Sequence, residues 1–177
     1  MEIEMGSKAV EKYADKLQLL PLELAEAFHD AIDEMQKKIE LYLMEQLARY
    51  ELTGTKLSGK IKVRRTETGI SININNEYWT FVEYGTGIVG AGAQHPNPEA
   101  GWQYDTEGHG NKGWWYPTTD DDPNPLKRRG KDDGVLYAWT KGQRARPFMY
   151  NTWMYGRQAF TPVVMKHQRR ALKRRMK

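Results

Sequence analysis

The 177-residue sequence contains no cysteine and no long apolar run. The lack of cysteine excludes disulfide bonds and thiolate metal sites. No run approaches the roughly 20 apolar residues that span a bilayer, and the acidic start at residues 1–5 lacks the basic-then-apolar pattern of a signal peptide. We therefore expect a soluble protein with a single domain over residues 1–177 and no contact with a membrane.

The sequence also lacks the signatures of catalytic and cofactor sites. The four histidines are scattered, and those in polar loops are expected to be solvated rather than to bind metal. Gly85-Thr86-Gly87 lacks the Gly-Lys-Ser/Thr ending of a phosphate loop, Asp120–Asp122 lacks the spaced ligands of a calcium loop, and no serine lies in a Gly-x-Ser-x-Gly elbow. We expect no cofactor, no metal and no enzymatic activity.

Acidic side chains are scarce in the rear of the chain and abundant in the front. Residues 1–52 hold 12 acidic and 6 basic side chains, a net charge of −6, and residues 53–177 hold 11 and 21, a net charge of +10. The last twelve residues, Lys166–Lys177, contain seven Lys or Arg and no acid. This asymmetry suits a subunit that meets copies of itself or charged neighbours, and a solvated basic tail is the alternative.

Helical periodicity marks both ends of the chain. Apolar residues at a spacing of three and four predict a helix over residues 21–50, with Pro21 in its first turn, and residues 8–19 fit a shorter separate helix. Near the C-terminus, Gly156 and Thr161-Pro162 are expected to divide the helical segment in two.

Strand periodicity marks the middle. Residues 60–64 and 69–75 alternate between polar and apolar and predict a hairpin. Residues 78–84 favour a short helix packed on the sheet, and residues 135–140 predict a further strand that pairs with the hairpin. The fold class we expect is α+β, a small antiparallel sheet of three or four strands packed by a long N-terminal helix and a C-terminal helix, with a long inserted loop. The expected core is Phe28, Ile32, Met35, Ile39, Leu43, Val63, Ile72, Ile74, Val82 and Phe148.

The inserted loop, residues 85–134, is rich in Gly, Pro, Asn and Asp but also contains tryptophans. Such loops are usually functional or disordered, and large aromatic rings argue against plain disorder. We expect Thr86–Asp133 to be mobile or protease-sensitive in the isolated protein and ordered in an assembly. Within it, residues 113–117 are compatible with a strand. The remaining segments are an N-terminal extension (1–20), the helix (21–50), the hairpin and the segment after it (59–84), a strand and helix (135–165) and a basic tail (166–177).

Two short segments carry the most information. The first is Tyr78-Trp79-Thr80-Phe81-Val82-Glu83-Tyr84-Gly85-Thr86-Gly87, and the second is Arg144-Ala145-Arg146-Pro147-Phe148-Met149. Glu83 is the one carboxylate within an apolar aromatic run, and we expect it to bond a backbone N–H or an arginine rather than to act as a general base.

In order and spacing the two segments resemble the tail-component and head–tail joining (tail completion) family of lambdoid long-tailed double-stranded DNA phages. The family pattern is an N-terminal helix, a hairpin, a Tyr-Ala-x-x-Val-Glu-x-Gly-Thr signature, a variable loop and an x-Pro-Phe that opens the last helix. The chain departs from it at Trp79, where the family has a small residue, and in its longer loop.

The resemblance implies a virion structural protein at the neck or tail end, present in the host cytoplasm during assembly. It implies a ring-shaped homo-oligomer that contacts other neck or tail proteins, and the basic tail lies at a subunit seam or faces the DNA channel. The residues expected to make these interactions are Glu83, Tyr84, Gly85, Thr86, Trp114, Trp115, Arg144, Arg146, Phe148, Arg169, Arg170, Arg174 and Arg175.

A nucleic-acid-binding module that uses the basic C-terminal cluster is the alternative. The isoelectric point near 9.1, the Lys166–Lys177 cluster and Lys127-Arg128-Arg129 support it. The acidic front of the chain and the lack of a binding motif count against it. A small hydrolase has only the loop histidines and acids in its favour.

Overall fold

The computed structural model describes residues 7–50, 60–75, 78–98, 101–107, 109–120, 122, 124–131 and 133–176, with most side chains between 21 and 174. The elements in chain order are α1 (Ser7–Arg49), β1 (Ile61–Arg65), β2 (Ile70–Ile74), α2 (Trp79–Tyr84), α3 (Gly87–Gly92), α4 (His109–Lys112), β3 (Trp114–Pro117), β4 (Lys127–Arg129), β5 (Leu136–Thr140), β6 (Gly142–Gln143) and α5 (Phe148–Met176). No helix in these ranges is both long enough and apolar enough to cross a bilayer.

The chain forms two compact units. The first contains residues 1–46, 61–73 and 152–177, and the second contains residues 47–60 and 74–151. The expectation of a single domain stays a prediction.

The first unit is built on a helix pair covered by the hairpin. Its buried core is Ala31, Met35 and Ile39 from α1 with Val163 from α5, and apolar residues of the hairpin, among them Ile72, pack against this core. The hairpin residues alternate between half-buried and exposed, as period-two strands with one covered face do. The two helices pass close to each other at Gly156, where an added Cβ would lie 3.4 Å from Cδ1 of Ile39, an ordinary van der Waals distance.

Two aromatic pairs extend this core. The rings of Tyr42 and Tyr155 stack with centroids 4.3 Å apart, and those of Phe28 and Phe160 meet edge to face at 6.2 Å. Contacts of this kind add to the stabilisation that burial of the rings supplies.

The second unit contains a three-stranded antiparallel sheet in the order β3-β5-β4. In the register, Trp115 lies opposite Trp139, and Arg128 lies opposite Tyr137. Short bridges join Thr86 to Gln143 and Gly87 to Gly142, so that the start of α3 is held against β6.

The fold class is confirmed as α+β, with small antiparallel sheets and long N- and C-terminal helices. The short helix α2 and the strand at residues 114–117 are also confirmed. The single sheet of three or four strands was wrong, because β5 pairs with β3 and β4 and not with the hairpin. Periodicity identifies a strand but does not select its partner.

Both expected helix breaks were wrong. The helix α1 runs through Pro21 without division into two helices, and α5 runs through Gly156 and Pro162. A proline inside a helix removes one backbone hydrogen bond, at a cost of about 3 kcal/mol. Burial of the apolar faces of α5 and of the described part of α1 outweighs that local cost. The basic tail, residues 166–176, is therefore the last part of a continuous helix.

Half of the expected core is fully buried and half is not. Ile32, Met35, Ile39, Leu43 and Phe148 are buried as predicted. Half-buried side chains make up the remainder: Phe28, Val63, Ile72, Ile74 and Val82.

The expected loop contains more regular structure than its composition suggested, since α3, α4, β3 and β4 all lie within it. Thr53-Gly54-Thr55, at which the residue pattern predicts that the N-terminal helix has ended, lies outside the described residues.

Candidate functional site

Glu83 lies on α2 and is only 2 % exposed. A buried carboxylate is costly unless it is hydrogen-bonded, and here both oxygens have partners. Oε2 accepts a 2.9 Å hydrogen bond from the backbone N–H of Met149, and Oε1 accepts one of 2.8 Å from that of Tyr150. The prediction that Glu83 bonds a backbone N–H is confirmed.

These two N–H groups belong to the first turn of α5, which begins at Phe148. A side-chain oxygen at the residue before a helix usually accepts such bonds, but Pro147 occupies that position and has none. Glu83 caps the helix from another part of the chain, and its negative charge suits the positive end of the helix dipole. The two sequence motifs thus meet through one carboxylate.

His95 contributes a third bond to the same carboxylate. Its Nε2 lies 3.2 Å from Oε1 of Glu83, and its Nδ1 lies 2.6 Å from the carbonyl oxygen and 3.0 Å from the N–H of Asn97. The side chain is 4 % exposed, so the expectation of a solvated loop histidine was wrong. No pattern around His95 in the sequence indicates this contact, because the partner is twelve residues away and is reached only through the fold.

Burial raises the pKa of Glu83 above its ordinary value. The N–H groups of Met149 and Tyr150 and the hydrogen bond from His95 oppose that rise, because they stabilise the ionised form. The arrangement is that of a structural carboxylate whose acceptor positions are occupied.

The Gly-Thr-Gly turn lies directly against the segment before α5. Gly85 has φ of 80°, and a Cβ on it would lie 2.7 Å from the backbone nitrogen of Ala145. The backbone N–H of Arg146 donates to the carbonyl oxygen of Val82 at 2.9 Å, and that of Gln143 donates to Oγ1 of Thr86 at 3.3 Å. Glycine is required here because the two backbones touch.

Aromatic rings surround the Glu83 cap. Tyr84 contacts His95 at 4.7 Å and Trp102 at 5.0 Å, and Trp102 contacts Phe81 at 5.8 Å, between ring centroids. This cluster ends in exposed rings, since Tyr78 is 70 % exposed and Phe81 is 44 % exposed.

In the first unit, opposite charges from the two ends of the chain meet. Glu34 on α1 accepts hydrogen bonds from Lys166 and from Nε2 of His167, the latter at 2.8 Å. Together they hold the pKa of Glu34 down at about 2. The charge asymmetry, expected to act between neighbouring copies, is therefore satisfied in part within one unit.

A groove of about 370 Å³ continues this pattern. Acidic side chains of α1 line one wall and basic side chains of α5 line the other: Glu23, Glu26 and Asp30 with His167, Arg170 and Arg174. Within the described ranges, no group of three or more His, Asp and Glu side chains is placed to hold a metal ion.

The residues expected to interact with partners fall into three groups. Glu83, Gly85 and Phe148 are buried, and the contacts described above for Glu83 and Gly85 are made inside the second unit. The half-buried members are Tyr84, Thr86, Trp114, Trp115 and Arg146, and the exposed members are Arg144, Arg169, Arg170 and Arg174. The side chain of Arg175 lies outside the described part of the chain. Tyr78 and Phe81 are exposed and were missed as interaction residues, although both lie within the signature.

Comparison of the chain with protein-family models, with curated proteins and with solved structures gives no match. The likeness to the phage tail family rests on the two motifs alone.

Proposed function

We propose that this chain is a virion structural subunit at the head–tail junction or tail end, which acts by assembly and not by catalysis. The observation that carries the proposal is the hydrogen bonding of Glu83 to the first turn of α5. The resemblance to the tail completion family depends on two motifs, and this bond gives a physical reason why they occur together.

The exposed aromatic end of the Glu83 cluster supports an assembly role. Tyr78 and Phe81 are neighbours, with ring centroids 6.4 Å apart. On α3, Ile88 is 43 % exposed and Val89 is 40 % exposed. Large apolar side chains that remain exposed together mark contact surfaces more often than isolated ones do. The buried motif residues hold the unit together, and we propose that the exposed rings of Tyr78 and Phe81 contact a neighbouring subunit.

The test is incorporation into particles. Virions produced by the genome that encodes this chain should contain the chain. Labelling of the chain should locate it at the neck or tail end of the particle. The double variant Tyr78→Ser and Phe81→Ser should fold but fail to enter particles. A matched control, Leu126→Ser, changes another exposed apolar residue and should enter normally. Absence of the wild-type chain from purified particles would contradict the proposal.

A nucleic-acid-binding module is the second candidate. The observation that favours it is the exposure of Arg169, Arg170, Lys173 and Arg174 near the end of α5. Such a helix would bind duplex DNA through phosphates, with strong salt dependence and no sequence preference. Charge reversal at Arg169 and Arg170 should abolish retention on duplex DNA if this candidate is right, and should leave the folded state intact.

A further inference from the structure

One face of the three-stranded sheet combines aromatic rings with cations. Paired residues of antiparallel strands lie on the same face, and so do residues two apart in one strand. The register therefore places Trp115 with Trp139, and Arg128 with Tyr137, all on one face. Trp115, Tyr137 and Trp139 are half-buried, whereas Arg128 is exposed.

The cations lie over the indole rings. The guanidinium carbon of Arg128 is 4.1 Å from the ring centroid of Trp115, and Nζ of the exposed Lys141 is 5.8 Å from that of Trp139. Arg128 is on β4 and Trp115 is on β3, with β5 between them. A side chain that crosses the middle strand and remains exposed shows that solvent reaches this face.

The aromatic rings on this face are fixed in place. The indole of Trp139 lies over the backbone of Gly113, where an added Cβ would overlap it. The hydroxyl of Tyr137 donates a 2.6 Å hydrogen bond to Oδ2 of Asp133. A ring that is already ordered loses little conformational entropy when a ligand stacks on it.

We propose that this face of the sheet binds single-stranded nucleic acid, with bases that stack on the indole rings or on the Arg128 guanidinium, and with Arg128 and Lys141 at the phosphates. Exposed bases stack on aromatic side chains irrespective of sequence, and a positively charged surface follows the backbone. In a duplex the bases are stacked on one another. Its phosphates can therefore contact the cations, but its bases cannot stack on the aromatic rings.

The charges around the face agree with an anionic ligand. Besides Arg128 and Lys141, the exposed cation Lys131 follows β4. Asp133 contacts the face at Tyr137, and its oxygens accept hydrogen bonds from the Tyr137 hydroxyl and from the N–H of Val135. This site differs from the C-terminal part of α5, and it does not depend on the proposed role in the virion.

The test uses the full chain and a fluorescent oligothymidine of roughly 16 nucleotides, about the largest site of a small single-strand binder. The comparison ligand is an abasic strand of the same length, which carries the same charge without bases. We expect the oligothymidine to bind about tenfold tighter or more, since each stacked base contributes measurably. Equal affinity for the two strands would show that binding depends on charge alone and would overturn the proposal.

Variants locate the site. The pair Arg128→Glu and Lys141→Glu should weaken binding about tenfold or more at physiological salt and lower the salt dependence. Trp115→Leu should remove the preference for the oligothymidine over the abasic strand while the far-UV circular dichroism remains that of wild type. If Trp115→Leu does not fold, quenching of tryptophan fluorescence on titration with the oligothymidine supplies the same readout in the wild-type chain, and its absence counts against stacking.

The control is Lys62→Glu with Arg64→Glu, two exposed cations of β1, which should leave binding unchanged. If this control loses binding as the sheet variant does, binding depends on general charge and the proposal fails. If Arg169→Glu with Arg170→Glu loses binding and the sheet variant does not, the α5 cations are the site and the proposal likewise fails. If the sheet variants change only self-association, measured by sedimentation in the absence of nucleic acid, the face is a contact between copies and the proposal likewise fails.

Discussion

Glu83 and Met149 are 66 positions apart in the chain, and Oε2 of Glu83 accepts a 2.9 Å hydrogen bond from the Met149 N–H. Because Pro147 has no side-chain acceptor, the first turn of α5 relies on this distant carboxylate for the satisfaction of its N–H groups. The geometry of the helix start is thus determined by a contact that no local sequence pattern contains.

Removal of the Glu83 carboxylate should destabilise the protein. Glu83→Ala removes the carboxylate acceptor of two part-buried N–H groups and leaves His95 without its carboxylate partner, so the free energy of unfolding should fall by about 2–4 kcal/mol. Glu83→Gln retains one acceptor oxygen, so its free energy of unfolding should lie between those of the wild type and Glu83→Ala. Urea unfolding at neutral pH measures this, with Glu67→Ala, an exposed carboxylate in the hairpin turn, as a control expected within about 0.5 kcal/mol of wild type. A Glu83→Ala variant as stable as that control would contradict the capping role.

The Gly-Thr-Gly turn should not tolerate a side chain. Gly85→Ala places a Cβ against the backbone of the segment before α5, in a conformation that L residues avoid, and should cost about 3 kcal/mol or cause misfolding. Gly92→Ala is the matched control, because its Cβ would meet nothing within 4 Å and its φ is not positive. That substitution should be neutral or slightly stabilising in thermal unfolding. Equal losses at the two positions would refute the close packing at Gly85.

Helices and strands with a regular spacing of apolar residues could be predicted from the sequence. Which of these elements pair or pack with one another could not. The apolar spacing of α1, the alternation of β1 and β2 and the strand β5 all follow from residue patterns. The pairing of β5 with β3 and the contact between His95 and Glu83 depend on which segments meet in space. Glu83 was identified because a carboxylate among aromatic residues needs a partner, whereas nothing near His95 distinguishes it from a solvated histidine.

Pro21, Gly156 and Pro162 were misread for a related reason. Each is an unfavourable residue inside a helix, and local propensity alone ends the helix there. In α5, packing of the surrounding turns decides the outcome, and the helix continues through Gly156 and Pro162.

The hairpin face that packs on the helix pair should reject charge. Ile72 is half-buried against the core of the first unit, and Ile72→Asp would bring a carboxylate into that apolar contact. We expect a loss of about 2 kcal/mol or more in urea unfolding. Ser71→Asp, one residue earlier on the exposed face, should change stability by less than about 0.5 kcal/mol. Equal effects would mean that the strand does not present Ile72 to the core.

The contact between the two helices of the first unit should depend on pH. The hydrogen bonds from Lys166 and His167 lower the pKa of Glu34 from 4.5 to about 2. A carboxyl whose pKa is lower in the folded state binds fewer protons there than in the unfolded state, so its stabilising contribution is present above pH 4.5 and is lost as the pH falls towards 2. The stability of the wild type should therefore decline across this interval.

Glu34→Gln isolates this contribution. The variant should be less stable than wild type at neutral pH, and the difference should close as the pH falls from 4.5 towards 2, because protonated Glu34 is uncharged like glutamine. Chemical unfolding at a series of pH values measures the gap, and added salt should narrow it, since the carboxylate is 27 % exposed and is partly screened. Glu45→Gln, which removes an exposed carboxylate of the same helix, should follow the wild-type curve. If the Glu34→Gln curve instead runs parallel to wild type over the whole range, Glu34 does not hold the end of α5 through its charge, and the basic residues there remain available for a partner.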